Sequence, residues 1–428
     1  MNLLIKSAKI IDINSKHHNK IMDVFIKNRK IEKIAKSIKP SKESVATGKE
    51  IEFSAPNLHL SPGWFDLHAN FSEPGNEQKE TLESGSNAAA KGGFTGVMIM
   101  PNTTPSLDNK GMIEYILNTT KGNIVDLFPA GNLTKNQQGN EIVEIHDMHK
   151  AGCLAFTDDK HSIKRNEVLK VAMLYSKDCN ALIMNYPNEN SIANNGYMHE
   201  GDISTKLGLK GIPSLAEEMM LDRDISICEY TNSRFHLSYL STKNSANKVK
   251  KAKAKGLNIT ADVALHNLFL TDESVNNFDT RYKVMPPLRT AKDNKALIKA
   301  LKDGIIDIIT TDHTPQDEEH KKIEFNNAAD GIIGLESAFG LLGKYLLPHL
   351  ELSQVIEKIA INPRKILGID QATLSEGNIA NITLFNPDLE WEFKAEDIKS
   401  KSVNTPFIGE QLTGKALAIF NNGKFKEC

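Results

Sequence analysis

Apolar and polar residues follow two different patterns along this chain, and the change between them divides it into regions. Residues 1 to about 60 contain short β-rich apolar runs separated by Asn, Lys and His clusters, which is typical of antiparallel strands. The segments 379–384 and 416–425 have the same character, with Asn422 and Gly423 as a turn signal. The pattern predicts a small β domain formed by both ends of the chain, over residues 1–60 and 365–428.

From residue 61 to residue 364, apolar strand-like segments alternate with helical stretches. After a first strand near residue 65, the predicted strands are 96–100, 124–129, 153–157, 181–186, 234–240, 258–263 and 305–310. The predicted helices include 81–91, 166–176, 214–230, 246–255 and 293–301. Regular alternation implies a parallel sheet, and about eight strands over roughly 300 residues predict a (β/α)8 TIM barrel. An open doubly wound sheet is the alternative, although no GxGxxG turn follows an early strand.

The stretch 62–75 is an apolar run interrupted by polar residues and bounded by Pro-Gly at both ends, which predicts a buried parallel strand ending in a turn. Asp66, His68 and Asn70 alternate along it and therefore share one face of the strand. A His-x-His pair at this place would suit a catalytic metal, because two imidazoles two residues apart can bind one ion. Here the second position is Asn70.

Charge and cysteine content exclude several classes of function. The 52 basic and 54 acidic residues leave a net charge of -2, so no basic surface for nucleic acid is expected. The four cysteines are widely separated and form no CxxC pair, which favours reduced thiols in a cytosolic protein. No secretory or membrane-spanning apolar segment is found, so we expect a soluble, cytoplasmic protein with no membrane partner.

In a barrel, the functional residues lie at the carboxyl ends of the strands. The motifs at these ends are SPGWFDLH (61–68), EPG (73–75), MPNT (100–103), FTDD (156–159), PPLR (286–289), TDH (311–313), NPR (362–364) and TPF (405–407). In this order they resemble the motifs of the dihydroorotases of the amidohydrolase superfamily, in particular the type I bacterial branch. The resemblance extends over essentially the whole chain and implies an amidohydrolase-type barrel with a small β-sandwich from both ends.

The resemblance also implies a chemistry. Dihydroorotases interconvert dihydroorotate and carbamoyl aspartate with a zinc pair, whose bridging hydroxide exists because metal lowers the pKa of bound water to about 7. By position, the implied zinc ligands retained here are His68, Asp158 (or Asp159, if the register differs by one) and Asp312. Asp312 is also the implied catalytic acid and base, and Asn102 is retained at a substrate-binding position.

Several implied site positions hold other residues. Asn70, Asn185 and Tyr239 replace three of six ligands, Ser72 replaces the arginine that grips the substrate carboxylate, and Met285 and Gln316 replace substrate-binding Asn and His. A neutral amide and a phenol with a pKa near 10 do not substitute for imidazole as zinc ligands at neutral pH. We therefore expect zinc to be absent or weakly bound.

Two hypotheses follow. In the first, the chain is an inactive pseudo-enzyme that supports aspartate carbamoyltransferase, a role that the resemblance implies because inactive homologues associate with that enzyme. In the second, it is an active cyclic amidohydrolase with a one-metal site formed by His68, Asp158 and Asp312. A third hypothesis, metal-free sensing of a small molecule in the same pocket, stays open. The resemblance also implies a possible homodimer, because the family often forms dimers.

The retained residues also have structural interpretations. His68 could be a barrel histidine bonded to Asp66 or Asp312, and Asp312 a buried carboxylate held by backbone donors. His236 is expected to be a packed strand residue.

Overall fold

The computed structural model describes residues 2–39 and 50–428. In chain order, the strands of this part are β1 (Asn2–Ile10), β2 (Ile21–Lys27), β3 (Lys30–Ala35), β4 (Glu50–Phe53), β5 (His59–Pro62), β6 (Trp64–Ala69), β7 (Phe94–Ile99), β8 (Asp126–Pro129), β9 (Ala155–Phe156), β10 (Leu182–Asn185), β11 (Met198–His199), β12 (Gly211–Ile212), β13 (Phe235–Leu237), β14 (Ile259–Ala264), β15 (Ile308–Thr310), β16 (Ile382–Glu392), β17 (Gln411–Asn421) and β18 (Lys424–Glu427).

The α-helices over the same residues are α1 (Leu82–Lys91), α2 (Lys110–Thr119), α3 (Ile145–Lys150), α4 (Asn166–Ser176), α5 (Asn190–Ala193), α6 (Asp202–Leu207), α7 (Ser214–Thr231), α8 (Lys243–Ala254), α9 (Ala291–Lys302), α10 (Glu318–Lys321), α11 (Ala338–Tyr345), α12 (Leu352–Ile356) and α13 (Asn362–Leu367). Short 3₁₀ segments occur at Lys135–Gln137, Lys177–Cys179, Leu265–Leu268, Asp272–Val275, Thr280–Tyr282 and Ala395–Asp397, and a π-helical turn at Glu357–Ile361. None of the helices in the described ranges is long and apolar enough to cross a membrane.

Eight parallel strands form the barrel. Three of them make a sheet in the order β6-β7-β8, and five make a second sheet in the order β15-β14-β13-β10-β9. Single parallel bridges join the two sheets at both edges, between Gly131 and Phe156 and between Ala69 and His313. Together these contacts close a ring of eight strands, and the predicted (β/α)8 barrel is confirmed.

Both ends of the chain enter one further sheet, with strand order β18-β17-β16-β5-β1-β2-β3 and β4 paired to β1. β16 runs antiparallel to β5, with Leu384 opposite Leu60. Buried side chains such as Leu3, Ile382 and Phe420 form a core of its own under this sheet. The domain boundaries at 60/61 and 364/365 stay predictions. β5, which lies in this sheet, continues to Pro62.

The helix bounds show which sequence signals decide where a helix begins. The predicted helix 166–176 has the same bounds as α4. The predicted helix 246–255 instead begins at Lys243, because the Thr242 side chain accepts from the backbone N–H of Ser245 and caps the helix. α9 begins two residues before its predicted start, where Thr290 and Asp293 form a capping box.

Gly63 links β5 of the terminal sheet to β6 of the barrel, at a point where the two sheets approach closely. A Cβ atom at this position would lie 2.0 Å from Oδ1 of Asn381 and 2.1 Å from Oγ1 of Thr95. The Gly63 N–H donates to the Asn381 carbonyl at 2.9 Å. Only a residue without a side chain fits this junction, which fixes where the first barrel strand begins.

Candidate active site

The carboxyl ends of the barrel strands surround a cleft of about 570 Å³. Its lining includes Asn70, Asn102, Gln137, Asp159, Lys160, His161, Tyr186, Asn188, Asn190, Asn195, Met285, Thr314, Gln316 and Asp330. Of the residues predicted from the sequence, Asn70, Asn102, Met285, Gln316 and Asp159, the alternative to Asp158, line this cleft. His68, Tyr239 and Asp312 are buried, and the last two bond the lining residues Asp159 and Lys160.

His68 lies in a buried His-Asp-His arrangement. Its Nε2 is 2.6 Å from Oδ2 of Asp262, and Nε2 of His236 is 2.7 Å from the same oxygen. Burial lowers the pKa of His68, but the nearby carboxylates, Asp262 first and then Asp159 and Asp66, together raise that pKa above its usual value. The expected partners Asp66 and Asp312 are therefore wrong, since Asp66 instead accepts from the backbone N–H of Thr311.

The two adjacent carboxylates of the FTDD segment point in different directions. Asp158 accepts from the backbone N–H groups of Leu133 and Thr134, at 2.8 and 2.9 Å, and does not line the cleft. Asp159 accepts from the Tyr239 hydroxyl at 2.9 Å and from Asn102 at 2.5 Å. Of the two alternatives left open by the sequence, Asp159 is the one that faces the site.

Asp312 is paired with a lysine that the sequence analysis did not single out. The Lys160 Nζ donates to both carboxylate oxygens of Asp312, at 2.8 and 2.9 Å. The expected backbone donors are thus replaced by an ammonium group. Burial raises the pKa of Asp312 to about 6, against the opposing effect of Lys160.

His266 borders the same pair. Its Nε2 lies 3.8 Å from Oδ2 of Asp312 and has no hydrogen-bond partner. Burial lowers the pKa of His266 to about 3, and the Lys160 charge acts in the same direction. The imidazole is therefore neutral near pH 7.

Side-chain amides form a chain along one wall of the cleft. Asn102 donates to Oδ1 of Asn70 at 2.8 Å and accepts from Nε2 of Gln137 at 3.0 Å. Asn70 in turn donates to Oγ1 of Thr314 at 3.2 Å. Asn70, expected at a metal-ligand position, is therefore a member of a hydrogen-bond network.

Asn185 and Tyr239, at the other two replaced ligand positions, are also engaged. Asn185 donates to Oδ2 of Asp224 at 2.8 Å, and Arg223 pairs with the other oxygen of that carboxylate. The backbone N–H of Tyr239 donates to Oδ1 of Asp262 at 2.8 Å. Both side chains are buried, so each is a packed part of the barrel interior.

The substrate-binding replacements are placed differently. Ser72 is buried in a left-handed backbone conformation (φ 59°) and does not line the cleft. Gln316 donates to the Asp330 carbonyl at 3.0 Å. Its Oε1 and Oδ1 of Asp330 are buried without a partner, so this wall presents acceptors rather than cationic donors.

Similarity to known proteins agrees with the motifs. A curated dihydroorotase from Geobacter metallireducens is 39% identical over 426 residues, which is 99% of this chain and 99% of its own length. One from Acetivibrio thermocellus is 40% identical over 424 residues, 98% of each chain. A family model described as "Dihydro-orotase-like" matches residues 58–245.

This chain belongs to the dihydroorotase family.

Solved structures of more distant relatives have the same fold. L-hydantoinase (dihydropyrimidinase) from Arthrobacter aurescens matches with a TM-score of 0.85 at 20% identity, over 99% of this chain and 95% of its own. Dihydropyrimidinase from Brevibacillus agri NCHU1002 gives 0.83 at 19% identity, with the same coverage. At this identity the likeness concerns the fold alone, and it confirms the amidohydrolase-type barrel with a β-sandwich.

The zinc pair implied for a dihydroorotase does not fit the residues present. Among the described residues, one group of three metal-binding types comes close together, namely His68, His236 and Asp262. Its nitrogen-to-oxygen distances of 2.6 and 2.7 Å are hydrogen bonds, whereas two ligand atoms on a tetrahedral zinc ion lie about 3.3 Å apart. The remaining candidates, Asp158 and Asp312, have hydrogen-bond partners elsewhere.

Reasoning from the sequence missed Lys160, His236, Asp262 and His266 as members of this site. Lys160 follows the FTDD motif directly, so its position at a strand end was a usable signal. Asp262 lies inside the apolar strand β14, where a buried carboxylate requires a partner. His266 lies two residues after the end of β14, so its position at a strand end was also a usable signal.

Proposed function

We propose that this chain is a dihydroorotase-family protein of pyrimidine biosynthesis that has lost catalytic activity and acts in the cytoplasm. The observation that carries the proposal is the engagement of the replaced ligand positions. Asn185 donates to Asp224, and Tyr239 donates to Asp159. Side chains held in this way belong to a packed polar interior, because both of them have a hydrogen-bond partner within the protein.

The substrate side supports the same proposal. Within the part of the chain that the structure describes, the residues lining the cleft include no arginine. Lys160 is the lysine among them, and its ammonium is paired with Asp312. A carboxylate substrate is best held by a free guanidinium or ammonium group, and this cleft offers neither.

The cytoplasmic assignment is supported by the cysteines. Cys153, Cys179, Cys228 and Cys428 are all free, and Cys153 and Cys228 are buried. Free thiols are typical of a reducing compartment.

Metal analysis of the purified protein, combined with a dihydroorotate hydrolysis assay in added zinc, tests the loss of activity. We expect substoichiometric zinc and no turnover. A curated dihydroorotase relative assayed in parallel controls for assay conditions. Stoichiometric zinc together with turnover that is abolished by Asp312→Ala would overturn the proposal.

Back-substitution sharpens this test. The single variants Asn70→His, Asn185→His and Tyr239→His should not recover zinc. Each restores one ligand, while the other two ligand positions keep residues that do not bind zinc. The combined variant should recover more zinc than any single one. Tight zinc binding after a single substitution would instead indicate a site that is nearly intact.

Partnership with aspartate carbamoyltransferase is the second part of the proposal. It is supported by the resemblance to inactive family members that associate with that enzyme. Co-expression of the two proteins should give a complex that stays together during size-exclusion chromatography with light scattering. The chain measured alone by the same method reports whether it is a homodimer. Two separate peaks at micromolar concentration would contradict the partnership.

A one-metal cyclic amidohydrolase is the alternative function. Its metal would have to break the hydrogen bonds that join His68 and His236 to Asp262, the group of three metal-binding side chains that comes close together among the described residues. In that case zinc would bind at one equivalent, and His236→Ala would abolish both the zinc and the turnover. In a non-catalytic protein the same variant changes only stability.

A further inference from the structure

The ammonium group of Lys160 occupies the centre of the buried charge cluster. Its Nζ bonds both oxygens of Asp312 and lies 5.0 Å from the ring centroid of Tyr239. The Asp312 side chain is 1% exposed and the Lys160 side chain 18%. A cation over an aromatic face and against a carboxylate is stabilised by both contacts.

The surroundings of this ammonium contain more negative charge than the one ion pair. Asp159, held by Tyr239 and Asn102, is a second carboxylate close enough to raise the pKa of Lys160. His266 contributes an unpartnered Nε2, 3.8 Å from Asp312, on a side chain that is 4% exposed. Two carboxylates and an imidazole without a hydrogen-bond partner at Nε2 therefore border the pair, and Lys160 supplies the positive charge.

We propose that Asp312, Asp159, His266 and the Tyr239 ring form a cation site, and that the Lys160 ammonium is its resident cation, tethered to the chain in place of a free ion. This inference rests on the proposed function, since it gives the physical reason for a site that works without metal. Buried carboxylates need a compensating positive charge. A lysine supplies that charge at every metal concentration.

The site should therefore accept a free primary ammonium once the tether is removed. Lys160→Ala deletes the atoms of one n-propylammonium ion, so this ion matches the vacated space in both charge and length. An engineered cavity that matches a small molecule can bind it. Divalent metal ions lack the alkyl stem and would have to use the carboxylates and the imidazole alone.

The experiment measures thermal unfolding of Lys160→Ala in n-propylammonium chloride, in propan-1-ol and in sodium chloride, at equal concentrations. We expect the variant to lose roughly 5 °C in Tm. Propylammonium should restore most of the loss, while the neutral alcohol and the sodium salt should not. Lys164→Ala, at an exposed lysine of the same loop, is the matched control and should change in none of these solutions.

Two further variants separate charge from packing. Lys160→Met keeps the stem but removes the charge, so it should be destabilised and should not respond to propylammonium. Lys160→Ala with Asp312→Asn removes the buried charge as well, so rescue should disappear. If Lys160→Ala does not fold alone, its refolding yield from urea in propylammonium against propan-1-ol gives the same comparison.

The outcomes distinguish this inference from the proposed function. Equal rescue by propylammonium and propan-1-ol would overturn the cation site, and so would a Lys160→Ala protein as stable as the original. Neither result would contradict the proposed function. Stoichiometric zinc in the unmodified protein would overturn the proposed function. Zinc-dependent stabilisation that appears only in Lys160→Ala, and is lost with Asp312→Asn, would support both.

Discussion

One oxygen of Asp262, Oδ2, lies 2.6 Å from Nε2 of His68, and His236 donates to the same oxygen from a neighbouring strand. His68 carries the sequence signature of a metal strand, yet here it supports a buried carboxylate. The two imidazoles hold the pKa of Asp262 well below its usual range despite its burial. In this fold the side chain at the first ligand position thus contacts a buried carboxylate on another strand.

Replacing Asp262 should destabilise the fold strongly. In Asp262→Asn the two histidines lose their shared carboxylate, and removing one partner of a buried charged cluster costs about 3–5 kcal/mol. Urea denaturation measures the free energy of unfolding. The control is Asp222→Asn, because Asp222 is 60% exposed and pairs with Lys248 at the surface, where about 1 kcal/mol or less is expected. A loss as small as that of the control would contradict the structural role.

Chelators should leave the stability unchanged. A ligand bound only to the native state stabilises it according to its concentration and affinity, so removal of a tightly bound zinc ion would lower Tm by several degrees. We expect no change in Tm after treatment with EDTA. EDTA saturated with zinc controls for effects of the chelator and the salt themselves. A drop confined to the free chelator would show that a resident metal supports the fold.

The loss of folding stability at acid pH should depend on His266. Its pKa is about 3 in the folded chain because of burial, against about 6.5 when unfolded. Between these values the unfolded chain binds more protons, so this group makes stability fall as pH falls from 6.5 towards 3. His266→Gln removes this contribution, and the loss between pH 7 and pH 5 should shrink by about 2 kcal/mol.

Denaturation curves at a series of pH values check this prediction. The control is His349→Gln, at an exposed histidine, whose stability should run parallel to that of the unmodified protein. Parallel behaviour of His266→Gln would mean that this imidazole is not buried in its neutral form.

The junction between the two sheets should not tolerate a methyl group. Gly63→Ala would place Cβ within 2.1 Å of both Asn381 and Thr95, and overpacking of this kind costs about 2–3 kcal/mol. Gly111→Ala is the control, because Gly111 is an exposed helical residue of α2. Alanine there should be neutral or stabilising by up to about 1 kcal/mol. Calorimetric Tm values of the two variants decide between these outcomes, and equal values would contradict the close packing at Gly63.

The fold could be predicted from the sequence because its signals are local. The apolar run of β7 is buried at every position, as expected for a parallel strand between two layers. The helix 166–176 follows from periodicity alone. The helices that begin at Lys243 and Ala291 start earlier than predicted, because N-terminal caps, rather than apolar spacing, decide where they begin.

The site could be predicted only in part, because its pairings are not local. The strand-end motifs identified His68, Asn102 and Asp312, but their partners depend on the order of strands around the ring. Asp262 is 194 residues from His68 along the chain. Lys160 and Asp312 are likewise 152 residues apart. No spacing rule in a sequence connects such positions, and only the closed barrel brings them together.

The sheet made by both ends of the chain also fixes when folding can finish. β5 pairs with β16, more than three hundred residues later. While the barrel is being synthesised, β5 therefore has one edge without its native neighbour. An open strand edge is a template for pairing with other chains. The interval between the synthesis of β5 and that of β16 is thus the stage at which a nascent chain most needs protection from its neighbours.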